Sequence, residues 1–294
     1  MTLYIGCAVW AHDDFKGSFY PAGTPNNERL RAYANRLTAV ELNSSFYAVP
    51  PVTTIRKWVA ETPETFRFSP KFPKTITHTA QLRNVDQQAR AFIANMREFG
   101  TRLGPLMLQL PPSFSPKRLP LLAEFLGSMP QDLQIAVEVR HSDFFTEPDE
   151  SALREVLAAG NAGRVLMDRR PALTSESPDA ESAQEPKPDV PLVTDPVQGY
   201  ALVRYISSPV PEENETYWDE WVPRLAGWID AGRDIYFYVH CPDERKSPGF
   251  AREVYARVRA VRPNLPPLPW ELVEEATPPT KPTDLGPPEQ LTLF

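Results

Sequence analysis

Only two cysteines, Cys7 and Cys241, and four histidines occur in 294 residues. So few thiols, set so far apart, exclude a disulfide framework and point to a reducing, cytoplasmic setting. None of the histidines has the spacing of a zinc motif, and His12 and His78 read as loop residues. No apolar run approaches the roughly 20 residues needed to span a bilayer. The opening "MTLYIGCAVW" lacks the charged n-region and long apolar stretch of a secretory signal, so no membrane partner is expected. There is no glycine-rich phosphate loop after the first β-prone run, which argues against a dinucleotide fold. No basic stripe marks a strong nonspecific DNA binder.

Proline is abundant instead, with 34 residues, and its placement divides the chain. Residues 171–196 carry six acids against Lys187, and residues 263–294 carry five against Lys281. These two segments more than account for the net charge of −7, so the body is close to neutral. The acidic, proline-rich composition of 171–196 predicts a loop insert rather than a helix. Nine prolines between 263 and 289 predict an extended, disordered tether after a body that ends at Arg262, interrupted by one helical turn around "WELVEE".

Eight β-prone runs recur along the body: 3–9, 39–43, 66–72, 105–110, 134–140, 164–168, 200–206 and 234–241. Several are continuous apolar runs, as in parallel strands covered on both faces. Helical periodicity separates most of them, as with Phe92, Ile93, Met96 and Phe99 before Gly100. Eight such alternations predict an α/β fold, a (β/α)8 TIM barrel, with 171–196 making the sixth βα unit irregular. An open doubly wound sheet is the alternative.

Alternate residues of a strand face the same way. One parity collects Gly6, Ala8 and Trp10; Glu41 and Asn43; Lys71; Gln109; Glu138 and Arg140; Asp168; Arg204; and Tyr238 and His240. Barrel active sites form at the C-terminal ends of the strands, so this polar rim is read as a functional pocket. Glu41, Lys71, Glu138, Asp168 and His141 are the catalytic candidates. Trp10, Asn43, Tyr47, Gln109, Arg140, Arg204 and His240 are the candidates for substrate binding. Glu41 and Glu138 are expected to form an acid–base pair whose pKa values are split by Lys71 and Arg140. Lys71 is also placed to form a Schiff base. Trp10 and Tyr47 offer faces for stacking on a sugar or base. Glu138, Asp168, His141 and His240 offer ligands for one divalent metal, although no motif requires a metal or any other cofactor.

Five stretches and one residue carry a family resemblance: "IGCAVWAHDDFKGSFYP" (5–21), "ELNSSFY" (41–47), "KFPKTITH" (71–78), "LGPLMLQLPPSF" (103–114), "AVEVRHSDFF" (136–145) and Asp168. They resemble the YecE-like family, the domain of unknown function numbered 72, over about residues 3–262. The resemblance implies a TIM barrel with its pocket on these same residues and supplies no reaction. Two departures from the usual pattern stand at Tyr205-Ile206 and in "VHCPDE" (239–244).

The chain stops on "QLTLF" (290–294). This pentapeptide resembles the motif by which bacterial polymerases and repair proteins bind the DNA sliding clamp. In that motif Gln290 enters a small polar pocket, and Leu291, Leu293 and Phe294 fill an apolar one. The sequence thus predicts a hydrolase or lyase on a phosphorylated or polyhydroxylated substrate, with a nucleic-acid-related compound among the candidates, recruited to the clamp. The alternative is a non-catalytic replication or repair accessory that binds nucleic acid.

Overall fold

The computed structural model describes residues 2–180 and 190–276. Eight parallel strands, β1 (Leu3–Cys7), β2 (Ala39–Leu42), β3 (Arg67–Pro70), β4 (Leu106–Gln109), β5 (Ile135–Glu138), β6 (Ala162–Asp168), β7 (Tyr200–Ile206) and β8 (Asp234–His240), follow the order 3-2-1-8-7-6-5-4. The sheet closes where β3 meets β4, through Phe72 N–H donating to the Met107 carbonyl (2.9 Å) and Gly104 N–H donating to that of Phe68 (2.8 Å). The expected TIM-like barrel is what forms, and the open sheet is excluded by this last pairing.

Helices α1 (Arg29–Ala34), α2 (Ser44–Tyr47), α3 (Val52–Glu61), α4 (Asp86–Met96), α5 (Leu119–Gly127), α6 (Asp149–Ala159), α7 (Arg170–Leu173), α8 (Glu215–Asp230) and α9 (Ser247–Val261) follow the strands in turn. Each strand's alternation then builds two separate cores. Ile5, Val40, Phe68, Leu108, Val137, Leu166, Val203 and Phe237 pack outward against helix residues such as Phe92, Leu122, Leu153, Trp221 and Val254. Tyr4, Met107, Ala136, Val165, Leu202, Tyr236 and Tyr238 fill the lumen. Within it, Tyr4 stacks on Tyr236 at 5.0 Å, and Ser69 and Tyr238 share a 2.6 Å hydrogen bond. The barrel is therefore plugged below its C-terminal rim, and ligands have only the rim to enter by. Gly6 marks the tightest approach of two strands: a Cβ there would sit 1.7 Å from the Ala39 carbonyl oxygen, so no other residue fits.

The sixth unit is irregular as expected, but the acidic segment is not wholly loop. It opens with the single helical turn of α7, then buries Ser175 and Ala180. Its other end packs Leu192, Val193 and Val197 against the outer core, while 181–189 lie outside the described residues.

The expected end of the body at Arg262 is corrected. Leu265 and Leu268 are buried in the outer core, and α10 (Pro269–Ala276) docks on the barrel. Trp270 meets Phe19 edge-on at 5.0 Å, Arg252 lies over the Trp270 ring, and Arg259 pairs with Glu271 at 2.6 Å. Proline density misplaces the boundary because Pro263, Pro266 and Pro267 shape a turn that returns the chain to the core. No helix among the described residues is long and apolar enough to cross a membrane.

Candidate functional site

Six strands deliver polar side chains to the rim of the lumen. Glu41 is the penultimate residue of β2 and lines a pocket with Ala8, Lys71 follows β3, Gln109 ends β4, Glu138 ends β5, Arg204 lies in β7 and His240 ends β8. Arg204 is the keystone. Its Nε donates to Glu41 Oε2 (2.9 Å), Nη2 to Glu41 Oε1 (3.0 Å) and Nη1 to Glu138 Oε2 (2.8 Å). Lys71 Nζ lies 2.9 Å from Glu41 Oε1 and donates to Gln109 Oε1 at 3.3 Å. His240 Nε2 is 3.0 Å from Glu41 Oε2, and Arg140 Nε donates to Glu138 Oε1 at 2.6 Å. Glu41 and Glu138 are each only 1% exposed, so every lone pair they direct inward must be met by protein.

Three cations thus face two carboxylates, an excess of one positive charge in a buried site. Burial by itself raises the Glu41 carboxyl, but Arg204, Lys71 and His240 outweigh it and hold it well below the usual range. Glu138 likewise is raised by burial yet brought down to about 2 by Arg140, Arg204 and Lys71. The expected splitting of the two carboxylates is therefore corrected: both are held ionised, because Arg204 serves both. The groups displaced toward neutrality are others. Burial and the neighbouring Arg204 push Lys71 down to about 8 against the pull of Glu41, and burial depresses His240 despite Glu41.

Arg140 differs from the rest. Its Nε is fixed on Glu138, while its two terminal nitrogens make no hydrogen bond among the described residues, and its side chain is 14% exposed. A guanidinium braced on one edge and open on the other is a ready acceptor site for a phosphate or carboxylate. Beside Glu41, a pocket of about 150 Å³ opens between the ends of β1 and β2, lined by Ala8, Trp10, Asn43 and Ser44 among others.

Other predicted site residues stand elsewhere. Asp168 does not share the rim: in β6 the lumen parity belongs to Val165 and Met167, and Asp168 points outward. There it accepts from Trp221 Nε1 (2.8 Å) and from Arg170 (2.9 Å), which ties β6 to α8. The shift of parity escapes the sequence because Arg164 and Asp168 share one face of β6 and no polar side chain marks the other as the lumen face. His141 turns away as well, its Nδ1 accepting from Asp143 N–H to cap the turn Ser142–Phe145. The half-buried Trp10 ring meets Trp58 (5.1 Å) and Phe68 in T-shaped contacts and lines the pocket beside Glu41. Asn43 braces the β2 end by donating to the Ala8 carbonyl at 3.2 Å. Tyr47 is 80% exposed, standing edge-on to Phe46. With Asp168 and His141 withdrawn, the four proposed metal ligands do not assemble, and no group of three or more such side chains does so among the described residues. Gln290, Leu291, Leu293 and Phe294 lie outside the described residues.

Three contributors were not legible as such. Ser45 clasps β2 to β3, donating to the Lys71 carbonyl (2.8 Å) and accepting from Lys71 N–H (2.9 Å). His78 sits on a π-helical turn, Thr75–Thr79, bonded to Thr77 and edge-on to Phe46 at 5.0 Å, and burial and then Arg140 lower its pKa. Glu244 accepts from Ser247 Oγ at 3.0 Å, and burial, reinforced by Glu41 and Asp243, raises its carboxyl to about 7. A histidine in a loop and an acid beyond a strand end carry no periodic signal, which is why sequence alone passes over them.

The chain matches known proteins in sequence and in fold. The family model described as a protein of unknown function, DUF72, matches residues 4–272. UPF0759 protein YecE of Escherichia coli strain K12 is 32% identical over 270 residues, covering 91% of this chain and 96% of that protein. UPF0759 protein YunF of Bacillus subtilis is 30% identical over 153 residues, covering 50% of this chain and 53% of that protein. Among solved structures, a DUF72 family protein from Enterococcus faecalis superposes with a TM-score of 0.67 at 17% identity, covering 88% of this chain and 95% of its own. One from Thermotoga maritima gives 0.64 at 20% identity, covering 89% and 100%. The matched span takes in every strand and each side chain of the Arg204 network, and the chain belongs to the DUF72 family.

Proposed function

We propose that the rim is the active site of a hydrolase or lyase that takes a small phosphorylated or polyhydroxylated substrate. The observation that carries this reading is the open guanidinium edge of Arg140 beside a net-positive, buried carboxylate–cation cluster. An anionic group seated on Arg140 would bring the adjoining atoms over Glu138, Lys71 and Glu41. Two ionised carboxylates stand ready to take protons, and Lys71, brought down to about 8, holds or passes one near neutral pH. Screening phosphorylated and polyhydroxylated compounds should reveal a turnover that Glu138→Gln abolishes while its far-UV circular dichroism is unchanged. Undiminished turnover in that variant would remove Glu138 from the mechanism.

The C-terminal pentapeptide supports a place of work for this enzyme, the bacterial sliding clamp. With the packed body running to residue 276, 18 residues remain, a reach of at most about 60 Å. Such a link raises the barrel's local concentration at replication or repair sites without fixing its orientation. A fluorescent 285–294 peptide is expected to bind purified clamp and to lose that binding in Gln290→Ala and Phe294→Ala versions. Equal binding by all three peptides rules the recruitment out. Salt-dependent DNA binding by the full chain without any turnover would instead favour a non-catalytic accessory.

A further inference from the structure

Of the six lysines among the described residues, Lys71 alone is buried, and it is the one lysine in the rim cluster. Its amine lies at the floor of the site, between Glu41 Oε1 at 2.9 Å and Gln109 Oε1 at 3.3 Å. Its backbone is pinned on both sides by Ser45, so the side chain's origin is fixed. A pocket of about 150 Å³ reaches Glu41, enough for a molecule of a few carbons. Arg140 stands across Glu138 with its terminal nitrogens unbonded among the described residues. Among the rim side chains Lys71 carries the one amine, the group that condenses with a carbonyl.

We propose that Lys71 is a Schiff-base lysine, and that the site takes an aldehyde or ketone carrying a phosphate or carboxylate group. The proposal rests on the rim being the active site, and it selects the lyase branch of that reading. The ammonium first gives a proton to Glu41 Oε1, and the same carboxylate returns one through Oε2 to His240 Nε2, 3.0 Å away. His240, partly open to solvent, passes it to water. The free amine's lone pair then attacks the carbonyl carbon, and as the C–N bond forms and the C=O π bond breaks, one of the two N–H protons moves through the Glu41 carboxylate to the carbonyl oxygen, giving a neutral carbinolamine. The remaining N–H proton follows the same carboxylate to the hydroxyl, the C–O bond breaks, water leaves with both protons, and the nitrogen lone pair closes the imine. Amine and carbonyl become imine and water, so no oxidant or reductant enters. The depressed pKa of Lys71, about 8, adds a usable fraction of neutral amine near physiological pH.

The test is reductive trapping on the full chain. Glycolaldehyde phosphate and its unphosphorylated counterpart, glycolaldehyde, are each incubated with the protein, reduced with sodium borohydride and mapped by peptide mass spectrometry. The expected result is a reduced adduct on Lys71 at least tenfold more abundant than on any other lysine, formed at least tenfold faster from the phosphorylated aldehyde. Its rate should rise through about pH 8, where an exposed lysine would still be climbing toward about 10.4. Lys71→Arg should give no specific adduct while melting cooperatively. An unmodified Lys71, or equal labelling of it by both aldehydes, overturns the proposal. Loss of turnover in Glu138→Gln alongside an unmodified Lys71 would discard the imine and leave the hydrolase reading standing.

Discussion

Removing Arg204 should be the most damaging single change at the rim, because one side chain neutralises two buried carboxylates. Arg204→Met keeps much of the volume and deletes three charge-assisted hydrogen bonds, at 2.9, 3.0 and 2.8 Å. Glu41 then keeps Lys71 and His240, and Glu138 keeps Arg140, but both acids face each other with less compensation. Breaking a buried pair in this way costs about 3–5 kcal/mol, or roughly 10 °C in Tm for a chain of this size. The acid limb of stability supplies an independent reading. Glu138 has its carboxyl depressed from 4.5 to about 2 in the folded state. A depressed acid adds stability that is complete above its unfolded value and is lost as pH falls through its folded one. Wild type should therefore lose about 3 kcal/mol of this contribution between roughly pH 4.5 and 2. In Arg204→Met the depression shrinks, so that limb becomes shallower even as stability at pH 7 falls. Adding Glu138→Gln to Arg204→Met should recover part of the loss by removing one stranded charge. Urea titrations at pH 7 and across pH 2–5 measure both effects. A loss under about 1 kcal/mol at pH 7, or an unchanged acid limb, would refute the keystone role of Arg204.

Asp168→Asn should weaken stability and leave turnover of any substrate found by screening within about threefold, since Asp168 bonds Trp221 and Arg170 outside the lumen; a complete loss of turnover in a folded variant would return Asp168 to the site. Trp221→Phe leaves one oxygen of a fully buried acid with a donor fewer and is expected to cost roughly 1–3 kcal/mol by urea denaturation. Leu268→Ala, at a fully buried position beyond Arg262, should cost about 3 kcal/mol, whereas a residue of a detached tether would cost nothing measurable. Arg140→Ala should abolish protection by inorganic phosphate in differential scanning fluorimetry, an effect that wild type is expected to show.

The strands are legible as short runs, most of them apolar, whose alternate residues share a face. Glu41, Gln109, Glu138, Arg204 and His240 were placed together from that signal alone. It failed at β6, where Ala162–Met167 carries a cryptic Arg164 turned to Glu150 and no polar lumen residue to set the phase.

Sequence by itself determined the eightfold alternation, the near-neutral body between two acidic segments, and the residue types available at the strand ends, since all of these are local properties of the chain. Tertiary structure alone decided which carboxylates share an arginine, and so that both are ionised rather than split. It also decided that Arg140 keeps an open edge and that Lys71 lies at the floor of the site. The shared arginine in particular depends on contacts that Arg204 makes across 163 residues to Glu41 and across 66 to Glu138. Barrel closure brings such groups into hydrogen-bond contact, where Coulomb attraction, which falls as 1/r, is strongest and directional hydrogen bonds can form.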